Sequence, residues 1–185
     1  MPRWQNCAGS VNEIDFHTAL GRLLRDASLR EAFACNPAAV ATRLQVRPQD
    51  RAAFAALSSE EIEIQATILI RKRFDAVRRL IPATMDGLGE RAWPLFLAHA
   101  RGYWPETPAG QIHDTERFCV RLAQSEPRAL CAAEMNRLRF HTGRQPFAWH
   151  FVRDLRVRGR VHRAVQLLVR RGRGWSEYAL HFAWR

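Results

Sequence analysis

Apolar residues recur every three to four positions from Asp15 to about Phe140 and every second position beyond Gly143, so the chain is expected to be helical first and strand-forming last. From Asp15 to about Leu57 the helical pattern is cut into short pieces. Ser28 is placed to cap one helix, Asn36-Pro37 supplies a cap followed by a first-turn proline, and Arg47-Pro48 opens another. Helices this short persist only when packed. Phe16, Leu20, Leu23, Leu24, Phe33, Val40, Leu44, Phe54 and Leu57 are the expected packing faces.

Ser58-Ser59-Glu60-Glu61 fits a capping box, with Ser58 as cap and Glu61 three residues on. It starts the longest helix, which runs to about Leu80 with Ile62, Ala66, Ile70, Phe74, Val77 and Ile81 on the buried face; Pro82 stops it. A short helical turn, a helix near Glu90 to Arg101 and a loop follow. Asp114 is placed to cap a helix through Gln124, and Pro127 to open a final helix to about Phe140, with Glu134 and Arg137 as i,i+3 partners.

Past Gly143 three alternating runs appear: Trp149, Phe151, Leu155, Val157; Val161, Val165, Leu167, Val169; and Tyr178, Leu180, Phe182, Trp184. The turns Arg158-Gly159-Arg160 and Arg171-Gly172-Arg173-Gly174 join them into a three-stranded antiparallel meander. The aromatic and aliphatic positions are expected to face the helices, leaving His150, Asp154, Arg156, His162 and Gln166 on the open face. The predicted class is α+β, an N-terminal helical bundle over 1–143 followed by a small antiparallel sheet over 144–185.

Length and composition agree with one compact folded unit: 185 residues, 47% apolar and 25% charged. The net charge of +11 comes from 29 basic residues, nearly all of them arginine. A GC-rich codon bias accounts for such an excess, and so does a carboxylate- or phosphate-bearing partner matched by the guanidinium fork. Cys7, Cys35, Cys119 and Cys131 form no CxxC pattern, so buried free thiols are expected and a zinc site is not. With no secretion signal and no run of roughly 20 apolar residues, the expected location is cytoplasmic, without a membrane partner.

No catalytic motif stands out. GxSxG, HExxH and the glycine patterns of phosphate-binding loops are absent, and the seven histidines are scattered. His113-Asp114 reads more simply as a helix start than as a base with its carboxylate. His150 and His162 are expected to face each other across the first hairpin, where a metal is the less favoured reading.

Several stretches carry a resemblance: Leu69 to Pro105 (LIRKRFDAVRRLIPATMDGLGERAWPLFLAHARGYWP), then HDTERFCVRLAQ and LCAAEMNRLRF. The basic Arg71-Lys72-Arg73, the proline in Ile81-Pro82-Ala83-Thr84, Leu88-Gly89, Phe96, Ala100, Asp114 with Phe118, and Glu134-Met135-x-Arg137-Leu138 fall in matching order. In these features the chain resembles the partner subunits of multinuclear non-haem iron-dependent oxidative enzymes, which modify ribosomal peptides in thiaglutamate- and methanobactin-type pathways.

The resemblance implies a non-catalytic subunit with no cofactor of its own, the iron belonging to a barrel-type oxidase with which it forms a heterodimer. The helical part (1–143) would dock the oxidase, with Arg71, Lys72, Arg78 and Arg79 as candidate interface residues. The sheet (144–185) would recruit the precursor peptide through its leader. An extended peptide can join a free sheet edge through main-chain hydrogen bonds, and Arg153, Arg156, Arg158, Arg160 and Arg163 would complement an acidic leader. Some distant relatives of that family carry a DNA-binding label, so a nucleic-acid-binding protein is the alternative. Base stacking calls for aromatics on an open sheet face, and with the aromatics expected to be buried, peptide is preferred.

Overall fold

The computed structural model describes residues 13–106, 110–157, 160–172 and 174–181, with the backbone alone for residues 154, 156, 157, 160, 161 and 181. It forms two compact units, Met1–Leu69 and Ile70–Arg185. The boundary between them falls inside the longest helix.

The first unit contains α1 (Phe16–Arg25), α2 (Ala27–Cys35), α3 (Pro37–Arg43), α4 (Pro48–Ala55) and the start of α5 (Ser59–Leu80). Short side chains set the boundaries by taking amide protons that the first helical turn leaves unpaired. Asp15 accepts from the Thr18 N–H at 2.8 Å and Asn36 from that of Ala39 at 3.0 Å. The cap of α2 is Asp26 rather than Ser28, because its carboxylate accepts from both Ser28 and Leu29. At the start of α5 the expected cap is present, the Glu61 N–H donating to Ser58 Oγ at 3.3 Å. Gln45 takes a left-handed φ of 57° after α3, and the Val46 N–H closes on the Ala41 carbonyl at 3.0 Å. That closure ends the helix and lets Val46 bridge Ile14. Leu23, Phe33, Val40, Val46 and Phe54 fill the core, with Phe33 edge-on to Phe54 at 5.4 Å.

The second unit contains the rest of α5, α6 (Pro82–Leu88), a 3-10 turn (Gly89–Arg91), α7 (Ala92–Gly102), α8 (Gly110–Ser125), a second 3-10 turn (Pro127–Ala129), α9 (Ala132–Thr142) and the strands β1 (Phe147–Val157), β2 (Arg160–Arg171) and β3 (Gly174–His181). Phe74, Phe96 and Phe118 centre its helical core, with ring centroids 5.5 and 5.3 Å apart across Phe96. The continuous helix expected from Pro127 to Phe140 is instead a 3-10 turn, an extended Leu130 and then α9. In that break the Cys131 N–H donates to Thr84 Oγ1 at 3.0 Å.

Glu134 on α9 is 1% exposed and does not pair with Arg137 as the i,i+3 spacing suggested. Its carboxylate accepts from the Ala83 N–H at 2.6 Å, the Thr84 N–H at 2.9 Å and Thr84 Oγ1 at 2.7 Å. Pro82 lacks an N–H at the first position of α6, so one carboxylate from another helix satisfies the next two amides. Arg137 goes to the sheet, its Nε 2.8 Å from Glu177 Oε2.

The sheet has the expected order β1-β2-β3, antiparallel throughout. Trp149 pairs with Leu167 and Leu167 with Tyr178; Phe151 pairs with Val165 and Val165 with Leu180. A register shift between Val152 and Leu155 changes the pleat of β1. Gly172, φ 58°, supplies the left-handed residue of the β2–β3 turn.

Glu134→Ala should cost about 3 kcal/mol, because it removes the acceptor of two amides and a hydroxyl at once. In urea unfolding the midpoint should fall with the slope unchanged; a shift no larger than that of an exposed α9 alanine variant would refute the capping role.

Candidate functional site

The sheet presents two chemically different faces, and apart from Leu155 they are the reverse of the expectation. Val152, Leu155, Ala164, Gln166 and Leu168 are buried, and Val152, Leu155 and Ala164 cluster with Ala133 of α9 and with Cys131 just before it. Phe147, Trp149, Phe151, Tyr178 and Leu180 stand outward, from 43 to 65% exposed. Val165, Leu167 and Val169 lie between them in the cross-strand rows and are half-buried. Phe182 and Trp184 lie outside the described residues.

Gln166 explains the inversion. Its Nε2 donates to the Ala133 carbonyl at 2.9 Å and to Glu177 Oε1 at 2.7 Å, while its Oε1 accepts from Asn136 Nδ2 at 3.1 Å. A fully satisfied amide can occupy the interior, and inward-facing Gln166 forces its neighbours Val165 and Leu167 outward. Small residues make room for it: Ala148 shares a row with Leu168, Ala164 with Val152, and Ala179 with Gln166 itself and His150. Leu155 reaches the interior with the parity of the outward Trp149 because the register shift intervenes.

Among the expected peptide-binding arginines, Arg153 and Arg163 are exposed, at the register shift and beside Phe151 and Val165. The Arg153 guanidinium lies 5.9 Å from the Phe151 ring centroid. Arg156 pairs with Val161 and Arg160 with Val157 through the backbone, and Arg158 lies outside the described residues. Exposed Arg171 marks the other end of β2. No carboxylate stands on the outer face among the described side chains; Glu177 points inward to Gln166 and Arg137. Among the described residues β1 and β3 each keep one edge without a strand neighbour.

Arg71, Lys72, Arg78 and Arg79 are all exposed on α5. Arg71 lies over the Trp93 ring at 4.1 Å, and Arg78 lines a cavity of about 370 Å³ that also includes Trp93. Arg79 lines a different cavity, with Trp175 and His141.

Arg73, the third residue of the basic triplet, turns inward. Its Nε and Nη2 grip Asp114 Oδ2 and Oδ1 at 2.9 and 2.8 Å, and Nη2 also donates to the Tyr103 carbonyl. His99 Nε2 lies 3.0 Å from Asp114 Oδ1. Asp114 is therefore not a cap: α8 begins at Gly110 and the carboxylate is buried in its second turn. Burial raises its pKa, but the hydrogen bonds from His99 and Arg73 and the Arg73 charge outweigh this and hold it below the ordinary 3.8. No motif marks His99; its place on a largely apolar α7 was the available signal.

His150 pairs with Gln166 and His162 with Leu155, so the two do not oppose each other across the hairpin. Among the described residues no group of three or more His, Cys, Asp or Glu could hold a metal ion. Cys119 and Cys131 are buried and Cys35 is exposed; Cys7 lies outside the described residues. Burial pushes the Cys119 thiol up to about 12. No helix of the described residues is long and apolar enough to cross a membrane.

The structure thus defines an α+β protein with an open apolar sheet face. Residues 55–124, from the end of α4 to the penultimate residue of α8, match the family described as SCO6045-like, C-terminal domain. No curated protein and no solved structure matches the chain.

Two outcomes check this geometry. Trp149→Ser and Phe151→Ser should each change stability by less than about 0.5 kcal/mol, whereas Leu168→Ala should cost about 2–5 kcal/mol; the opposite order in urea unfolding would restore the buried-aromatic arrangement. Asp114 has a folded pKa below its unfolded one, so its stabilisation is complete above about pH 4 and lost on acidification through the folded value. The midpoint gap between the native chain and Asp114→Asn should accordingly close as pH falls below about 4, and a gap constant with pH would contradict the pairing.

Proposed function

We propose that this chain is a non-catalytic, cytoplasmic accessory subunit that recruits a ribosomal precursor peptide to a barrel-type iron-dependent oxidase through its C-terminal sheet. The observation that carries the reading is the outer sheet face, apolar across three strands, flanked by Arg153, Arg163 and Arg171, and free of described carboxylates. An apolar patch with a cationic margin suits a partner that is itself apolar with acidic flanks. The outer edges of β1 and β3, which pair with no strand among the described residues, add main-chain donors and acceptors for an extended segment. The oxidase partner and the peptide's ribosomal origin come from the resemblance of Arg71 to Leu138. Within that span, Arg73 and Asp114 bond to each other, as do Glu134 and Thr84, which supports a common helical scaffold as the source of the likeness.

Nucleic acid binding is the second reading, and one observation favours it: Phe147, Trp149 and Phe151 stand exposed in a row along β1, as a base-stacking platform requires. The aliphatic Val165, Leu167, Val169 and Leu180 beside them weigh toward a protein partner, because they offer apolar contact without π-stacking.

Two measurements follow. Co-expressed with an adjacent barrel-type iron oxidase, the chain should co-elute with it on size exclusion, through an interface on the order of 1,600 Å²; separate peaks at micromolar concentration would remove the subunit reading. In fluorescence anisotropy, an acidic leader peptide from a neighbouring precursor gene should bind, and a Trp149→Ser, Phe151→Ser double variant should weaken it by roughly tenfold or more. Arg153→Ser with Arg163→Ser should slow association and flatten its salt dependence. Tighter binding of a single-stranded oligonucleotide at physiological salt, with a steep salt slope, would replace peptide with nucleic acid.

A further inference from the structure

A cavity of about 450 Å³, on residues of α7, α8 and the segment after α7, lies outside everything described for the sheet. Its lining includes His99, Tyr103, Arg117, Val120, Arg121 and Gln124. We propose that it binds a small organic anion, with a carboxylate or phosphate head and an apolar body.

Charge is the first argument. Arg117 and Arg121 are one helical turn apart on α8, where like charges repel by a few tenths of a kcal/mol, and neither forms an ion pair among the described residues. Both are nevertheless held in place. Arg121 Nη1 donates to the Ala98 carbonyl at 3.2 Å, and the Arg117 guanidinium lies 4.8 Å from the Tyr103 ring centroid. Two positioned guanidiniums with no carboxylate among the residues lining the cavity form an uncompensated cationic site, and the guanidinium fork fits both carboxylate and phosphate.

The second argument is the imidazole. His99 is held through Nε2 by Asp114, whose other hydrogen bonds go to Arg73, so the carboxylate orients the ring while its charge is already matched. No protein partner meets His99 Nδ1 among the described residues, and the ring lines the cavity. This is the arrangement in which a buried acid fixes the ring that a ligand meets. Val120, 61% exposed, and the Tyr103 ring supply the apolar wall, and Gln124 adds an amide. The volume lies within the range of small-molecule sites.

The test is calorimetric titration of the full chain with phenyl phosphate, benzoate and, as the neutral control, benzyl alcohol. At least one anion should bind saturably at one site per chain with a Kd below about 1 mM, and the alcohol should not. Arg117→Gln with Arg121→Gln should weaken that anion by roughly tenfold or more. Val120→Glu, an exposed substitution that brings a negative charge to the wall, should abolish binding while circular dichroism stays unchanged. Preference for phenyl phosphate or for benzoate identifies the head group. The Trp149→Ser, Phe151→Ser variant should bind the probes normally, so loss of peptide binding and loss of anion binding are separable. Absence of saturable binding by about 10 mM, equal binding of the alcohol, or affinity unchanged in both cavity variants would overturn the proposal.

Discussion

The burial of one amide, Gln166, decides what this protein shows to its surroundings. In a strand the side-chain period is two, so fixing one residue inward fixes every neighbour, and a one-residue slip would exchange the faces. Gln166 is held inward by Ala133, Asn136 and Glu177, and Glu177 is in turn 2.8 Å from Arg137. With those partners in place the amide carries little desolvation cost. Phe147, Trp149, Phe151, Tyr178 and Leu180 are left on the outside, where their contact with water is unfavourable until a partner covers them.

The helical scaffold under the sheet is tied by the same kind of contact, a buried charge meeting groups distant in sequence. Glu134 caps α6, and Arg73 with His99 enclose Asp114. Each tie is strong evidence for a specific arrangement rather than for stability, since a buried ion pair is balanced by the loss of hydration, and removing one partner is what costs most. Four of the residues that carry the resemblance, Arg73, Thr84, Asp114 and Glu134, are these tie points. Their order along the chain reflects the packing of α5, α6, α8 and α9, so a likeness in them bears first on architecture. For the same reason the likeness bears on function only indirectly, and the outer sheet face has to be argued from its own chemistry.

Much of the fold was legible in periodicity and capping chemistry: the α+β class, the meander, and the starts at Asn36-Pro37, Pro48 and Ser58. What failed did so for definite reasons. The rule that larger apolar residues face inward missed an interior built from Ala148, Ala164 and Ala179 around a satisfied Gln166. The clue was present in β2, where Ala164 and Leu168 on one parity compete with Val165, Leu167 and Val169 on the other. Asp114 and Glu134 look like a cap and a local ion-pair partner because local spacing is all that a sequence displays, while their actual partners Arg73 and Thr84 are 41 and 50 residues away. The anion cavity was invisible for the same reason, being assembled from residues after α7 and along α8 that share no motif.

The central claim is that the outer face and free edges of the sheet receive an extended, acidic peptide. Amide hydrogen exchange of the full chain, alone and saturated with an acidic leader peptide, tests it most directly. Added protection is expected in β1 or β3, on the amides that point away from β2, with little change in α1 to α4. Protection confined to the helices, or an unchanged sheet at saturating peptide, would contradict it.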